Sequence, residues 1–205
     1  ARSIFGENVK RKIQCFPENF DDIKAYMFLA CPIVHPSVMM RRDVFFKYNI
    51  RYDEHYRNME DYKLWYDIMQ IGKIANISEP LLFYRISKEQ VSTKYKVNQM
   101  IGNKLFRREI MSTYLLSKGI NINERIINWE IIHEISHLKL QTIDDAKMIA
   151  SILFVCCLSV HDNKGLGLIK FLYSLVWTKR FFHCKYIGGI IIHYLHLKRL
   201  DYLSI

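Results

Sequence analysis

A change of texture near residue 95 constrains this chain more than any other feature. Before it, apolar periodicity is broken every few residues by proline, glycine or polar turns. After it, apolar residues keep helical spacing almost to the end of the 205-residue sequence. Half of the residues are hydrophobic, enough for a sizeable core, and glycine and proline are scarce. The expectation is an α/β portion of short strands plus helices over 1–95, followed by an all-α helical extension over 96–205. No internal repeat or low-complexity tract interrupts either part.

Within the first portion, residues 1–16 read as extended. Phe20, Ile23, Tyr26, Met27 and Ala30 recur at helical spacing, predicting a helix over 18–30 that Cys31-Pro32 ends. Residues 33–41 read as a loop with a short strand, and Asp43 as the N-cap of a helix over 44–48. A helix from Glu60 to Ile71 is closed by Gly72. Short strands are predicted over 73–77 and 81–86. Beyond them come helices near 97–118, 123–140, 143–160, 164–179 and 186–200, with Gly119, Gln141-Thr142 and 162–165 as separators.

The formal charge is +10 and the pI about 9.3, favouring anionic partners, with solubility alone as the plain alternative. Five cysteines at irregular spacing, with no CxxC, argue against a disulfide framework or zinc knuckle and fit a reducing compartment. Asn76-Ile77-Ser78 is a glycosylation sequon by pattern only. Ala1-Arg2-Ser3 leads into no apolar signal segment. The longest uncharged stretches, 148–160 and 186–197, fall short of the ~18–20 residues of a membrane-spanning helix.

One acid stands out. Asp61, Leu64, Trp65 and Ile68 lie at i, i+3, i+4 and i+7, so Asp61 shares the inward stripe of its helix, whereas Glu60 faces toward Lys63 and Asp67. Two acids opening a helix are explained by its dipole alone. An inward carboxylate is costly unless it is hydrogen-bonded or functional, and a raised pKa would let it take a proton from a substrate hydroxyl.

The stretch 33–92 carries further text: Ile33-Val34-His35-Pro36-Ser37-Val38-Met39-Met40-Arg41-Arg42, then Tyr52-Asp53-Glu54, Met59-Glu60-Asp61-Tyr62-Lys63-Leu64-Trp65, Gly72-Lys73-Ile74-Ala75-Asn76-Ile77, Glu79-Pro80-Leu81-Leu82-Phe83-Tyr84-Arg85 and Val91-Ser92. In order and spacing it resembles the C-terminal half of the GT-A domain of bacterial family 2 glycosyltransferases. The resemblance implies an inverting transfer from a nucleotide-sugar donor to a glycan or lipid-linked acceptor, in surface polysaccharide synthesis. It assigns Asp61 as the catalytic base and Glu60 as an acceptor-binding residue. It places His35 and Ser37 near the same cleft, and Arg85 within reach of phosphate. Ser87 stands where many relatives have a histidine, and Gln90 where a serine is common.

The family also has a nucleotide-binding half that comes first, with an Asp-x-Asp motif holding a divalent cation (Mg or Mn) on the diphosphate. No Asp-x-Asp occurs in this sequence; Asp21-Asp22 and Asp144-Asp145 read as helix-start acids. The expectation is a portion of an enzyme that begins upstream, inactive as this fragment. The implied location is the cytoplasm, peripheral at the inner face of the membrane.

Two other readings compete. His133-Glu134-Ile135-Ser136-His137 matches H-E-x-x-H on a predicted helix, the pattern of zinc peptidases, but no glutamate follows Glu134 as a third ligand. Phe171 to Tyr186 mixes aromatics with Lys179, Arg180 and Lys185, as helices in a membrane interface do. A non-catalytic helical module docking to membrane or a protein partner is therefore the leading rival. No nucleic-acid-binding motif accompanies the charge, so nucleic acid is not expected as a partner.

Overall fold

The structure, a computed structural model, describes residues 1–6, 9–87 and 89–160. They form a mixed α/β protein in two compact units. One comprises Ala1–Met27 with Cys31–Asn103; the other comprises Phe28–Ala30 with the chain from Lys104 onward.

The first unit holds a three-stranded sheet. Strands β1 (Arg2–Gly6) and β2 (Val9–Gln14) pair antiparallel, Arg2 opposite Gln14 and Ile4 opposite Lys12, with an irregularity between Ile4 and Gly6. Strand β3 (Leu82–Ile86) pairs parallel to β1, so the order is β2-β1-β3. Gly6 lies against the Ile86 carbonyl so closely that a Cβ would collide with it.

Helix α1 (Phe20–Tyr26) is capped by Asn19, whose Oδ1 accepts the Asp22 N–H at 3.0 Å, and Asp21 and Asp22 lie in its first turn as expected. It ends at Tyr26, not at residue 30, and the Met27 carbonyl accepts the Tyr62 hydroxyl instead. A 3₁₀ turn, His35–Ser37, replaces the strand expected within 33–41. Helix α2 (Asp43–Lys47) has Arg42 at its N-cap, so Asp43 is its first residue and not its cap.

Helix α3 (Glu60–Ile71) matches its predicted bounds. It buries Tyr62, Leu64, Trp65, Ile68 and Met69 with Ile4, Ile23, Met27, Ile33 and Val34, the core of this unit. The strand expected over 73–77 is absent. Asn76 there donates from its backbone N–H to Glu18 O and from its side-chain amide to Pro17 O (2.7 Å) and Pro32 O (3.1 Å), so that segment is held by loop carbonyls and not by a sheet ladder. The sequon amide is thereby engaged inside the fold.

Helix α4 (Val91–Lys94) leads into α5 (Lys96–Ser117), the helix predicted over 97–118. Gly119, at φ 86°, ends it: the Gly119 N–H reaches Leu116 O and the Ile120 N–H reaches Leu115 O, a Schellman closure.

In the second unit every element described from residue 104 to 160 is helical. Helix α6 (Trp129–Ser136) is much shorter than the predicted 123–140, and α7 (Ile143–Val160) matches its predicted bounds. Ile149 to Leu158 are buried on all sides of α7. Among the described residues no helix is long and apolar enough to cross a membrane. The helices predicted over 164–179 and 186–200, and the aromatic, basic segment Phe171 to Tyr186, lie outside the described residues.

Thr142 Oγ1 accepts the Asp145 N–H at 3.0 Å at the start of α7. Asp145 is buried, and its Oδ1 takes hydrogen bonds from Tyr114 Oη and Lys118 Nζ, both at 2.8 Å. Burial alone would raise this carboxyl, but the bonds from Lys118 and Tyr114 outweigh it and hold the pKa below the usual value. A depressed acid contributes stability above its unfolded pKa, about 3.9, and loses it as pH falls through the folded value. Asp145→Asn is therefore expected to cost about 1.5–3 kcal/mol at pH 7. The difference between the two proteins in urea unfolding should shrink as pH falls below the unfolded value, about 3.9; equal stability at pH 7 would contradict the assignment.

Candidate functional site

The site lies in the first unit, at the N-terminal end of α3. Met59, with φ −144°, precedes the helix without a side-chain cap, so the free N–H groups of the first turn face the acids at 60 and 61. Asp61 Oδ1 accepts the Tyr62 N–H at 2.7 Å. Its other oxygen, Oδ2, faces His35 Nδ1 at 3.9 Å, and the Asp61 side chain keeps 30% of its surface exposed. The carboxylate is neither sealed in the core nor turned fully into solvent.

Burial raises the Asp61 pKa above the ordinary carboxylate range. The Tyr62 N–H and the facing His35 oppose that rise, and Glu60 adds to it. An acid so placed holds a proton more readily than a surface aspartate.

The turn that presents His35 is built from local bonds. Pro36 fixes its start, and the Ser37 N–H and hydroxyl both donate to the Val34 carbonyl, at 2.9 and 2.8 Å. Ser37 thus spends its proton on holding the turn. His35 Nε2 lies 3.0 Å from the Tyr52 hydroxyl, and its ring meets Trp65 edge-on at 6.0 Å between centroids. Desolvation, together with Asp61 and Glu60, raises the Tyr52 pKa, so the phenol keeps its proton, and the direction of its bond with Nε2 follows the His35 tautomer.

Two further polar atoms on α3 stand out. Glu60 Oε2 and Trp65 Nε1 are buried, with no hydrogen-bond partner among the described residues. Leaving such groups unpaired costs about 1–3 kcal/mol each, so they call for a reason. Lys63, expected near Glu60, instead binds Asp67 at 2.6 Å.

Asp61, Glu60 and His35 are therefore brought together, with Trp65 and Tyr52 added. Tyr52 is the residue sequence reasoning missed; its only signal was its place in the Tyr52-Asp53-Glu54 text. Arg85 lies on the exposed side of β3 with Phe83, opposite Tyr84, whose ring stacks on Arg2 at 4.3 Å.

The H-E-x-x-H residues serve other ends. Arg125 grips the Glu134 carboxylate through both oxygens at 3.0 and 3.2 Å, which holds its pKa low. His137 falls just beyond α6 and stacks on His133 at 4.1 Å. Among the described residues no three His, Cys, Asp or Glu side chains are grouped to hold a metal ion.

Comparison with known proteins gives two relatives. The chain is 29% identical over 153 residues to an uncharacterized glycosyltransferase of Haemophilus influenzae, covering 74% of this chain and 45% of the relative. It is 29% identical over 91 residues to the amylovoran biosynthesis glycosyltransferase AmsE of Erwinia amylovora, covering 44% of this chain and 34% of that protein. No family model and no solved structure matches. The chain is thus a homologue of glycosyltransferases that spans less than half the length of the relatives it matches.

Proposed function

We propose that this chain is the acceptor-side portion of an inverting, family 2, GT-A-type glycosyltransferase, with Asp61 as the base. The observation that carries the reading is the half-exposed Asp61 carboxylate, raised by burial and facing His35 at 3.9 Å. In the reaction the Asp61 carboxylate takes the proton from an acceptor hydroxyl. The freed oxygen pair forms a bond to the anomeric carbon of the donor sugar. The bond from that carbon to the diphosphate breaks on the opposite face, and the nucleoside diphosphate carries the electron pair away.

Glu60, partly exposed beside the base, fits acceptor recognition, whereas Trp65 Nε1 is closed off from solvent and meets a sugar hydroxyl only if the site opens on binding. Tyr52 and His35 orient the group around the base. A divalent cation (Mg or Mn) on the diphosphate, held by an Asp-x-Asp motif that this sequence does not contain, belongs to the same reading. The relatives' names support sugar transfer to a growing polysaccharide. The donor sugar, a glycan or lipid-linked acceptor and a peripheral membrane location belong to the same proposal.

The test compares the 205-residue chain with the full-length gene product. Nucleoside diphosphate release from a panel of nucleotide sugars should occur only with the full-length protein and rise when acceptor is added. Calorimetric titration of the short chain should show no donor binding. Tight donor binding by the short chain would overturn its placement on the acceptor side.

A further inference from the structure

The geometry points to residues 39–51 as a docking surface for an anionic lipid bilayer, independent of the role given to Asp61. This segment carries Arg41, Arg42, Lys47 and Arg51 against the single acid Asp43, a local net charge of +3. All five are exposed, and among the described residues none forms an ion pair.

The apolar side chains between them are exposed as well. Met39 is 99% exposed, Phe46 70% and Tyr48 48%. Two guanidinium groups approach the Phe46 ring, Arg42 at 5.6 Å and Arg51 at 6.0 Å, and the Lys47 ammonium stands 5.4 Å from the Tyr48 ring. Arg51 is fixed in that position because its Nη1 donates to the Phe45 and Ile50 carbonyls beside the end of α2.

Single exposed apolar residues are ordinary, and solvated cations need no partner. Their combination here is less ordinary. Within thirteen consecutive residues, exposed rings within 6 Å of cations and an exposed thioether accompany a local excess of positive charge. An acidic bilayer meets both at one depth: rings and thioether enter below the headgroups while the cations meet lipid phosphate. A nucleic acid would use the cations and stack on the rings, but it offers Met39 nothing. Tyr52, the next residue after Arg51, bonds His35, so the surface is continuous along the chain with the Asp61 group.

The experiment is co-sedimentation of the full 205-residue chain with vesicles of equal parts phosphatidylglycerol and phosphatidylcholine, against vesicles of phosphatidylcholine alone. The chain should bind the acidic vesicles and not the neutral ones. Arg42→Gln with Lys47→Gln should weaken binding about 25-fold, at about fivefold for each charge lost. Arg42→Lys with Lys47→Arg should bind as the original does. Phe46→Ser should weaken binding about tenfold. These side chains are exposed and make no backbone hydrogen bonds that the fold depends on, and circular dichroism will verify that each variant is folded. The proposal is overturned if the original chain ignores acidic vesicles, or if the double glutamine variant binds within twofold of it. It is equally overturned if the charge-keeping variant loses as much as the glutamine variant. It also fails if Phe46→Ser is without effect while a soluble oligonucleotide displaces all binding, because the surface then serves nucleic acid.

Discussion

Asp61→Asn in the full-length protein should cut glycosyl transfer by about 10²–10⁴-fold while leaving the fold at least as stable as before. The rate loss corresponds to about 3–5 kcal/mol of transition-state stabilisation, the share of a well-placed base. The stability follows from the sign of the pKa shift. Burial raises the Asp61 carboxyl, so the native state holds its proton more tightly than the unfolded chain does. A raised acid contributes stability below its unfolded pKa, about 3.9, and loses it as pH rises through the folded value. Charging the Asp61 carboxylate therefore works against the fold. Asparagine keeps the shape and the bond to the Tyr62 N–H while removing the charge. The melting temperature of the variant should rise at pH 7, and the difference should shrink as pH falls toward 4. A carboxylate that only finished the helix start would behave otherwise: its loss would weaken the helix and spare turnover. Full turnover in the variant removes Asp61 from the mechanism.

The helices that were legible in the sequence are those with one decisive signal at each end. α3 has two acids opening it, an apolar stripe and a terminal Gly72; α5 ends at Gly119; α7 has Thr142 before it and acids in its first turn. What failed was overridden from a distance. Residues 123–128 were expected to be helical, yet Glu124 adopts φ 61° and Arg108 draws the Ile122 and Arg125 carbonyls away from a ladder. Residues 73–77 have strand-like composition, but Asn76 binds carbonyls 44 and 59 residues away in sequence. Neither competing bond is visible in a local window.

The candidate site divides the same way. Periodicity alone aimed Asp61 along the stripe of Trp65, because i and i+4 share a helix face. The resemblance then supplied His35 and Glu60. Tyr52 carries no periodic signal. It lies in a loop whose path is set by the 3₁₀ turn Glu54–Tyr56, and it becomes a partner of His35 only once the chain is folded. Arg85 shows the converse: strand alternation placed it on the opposite side of β3 from Tyr84, which a motif match does not record.

Trp65 yields the second large effect, and a pair of substitutions separates its two roles. The side chain is 1% exposed in the core of the first unit. Trp65→Ala should cost about 3–5 kcal/mol, since it removes the largest buried side chain of α3 and leaves a cavity that the helix cannot close. For a chain of marginal stability that is enough to unfold the unit at 37 °C. Trp65→Phe keeps most of the volume and deletes the buried Nε1–H, which has no partner among the described residues. Relief of that unpaired donor offsets part of the lost packing, so the net cost should stay below about 1.5 kcal/mol. If the N–H meets an acceptor hydroxyl, the phenylalanine variant will show an acceptor KM raised about 2- to 10-fold with kcat nearly unchanged, the mark of an interaction made equally in ground and transition states. Urea unfolding checks the stability half and steady-state kinetics of the full-length protein the binding half. A phenylalanine variant with unaltered KM would leave Trp65 a core residue only, and the edge-on contact with His35 would then be packing, without part in recognition.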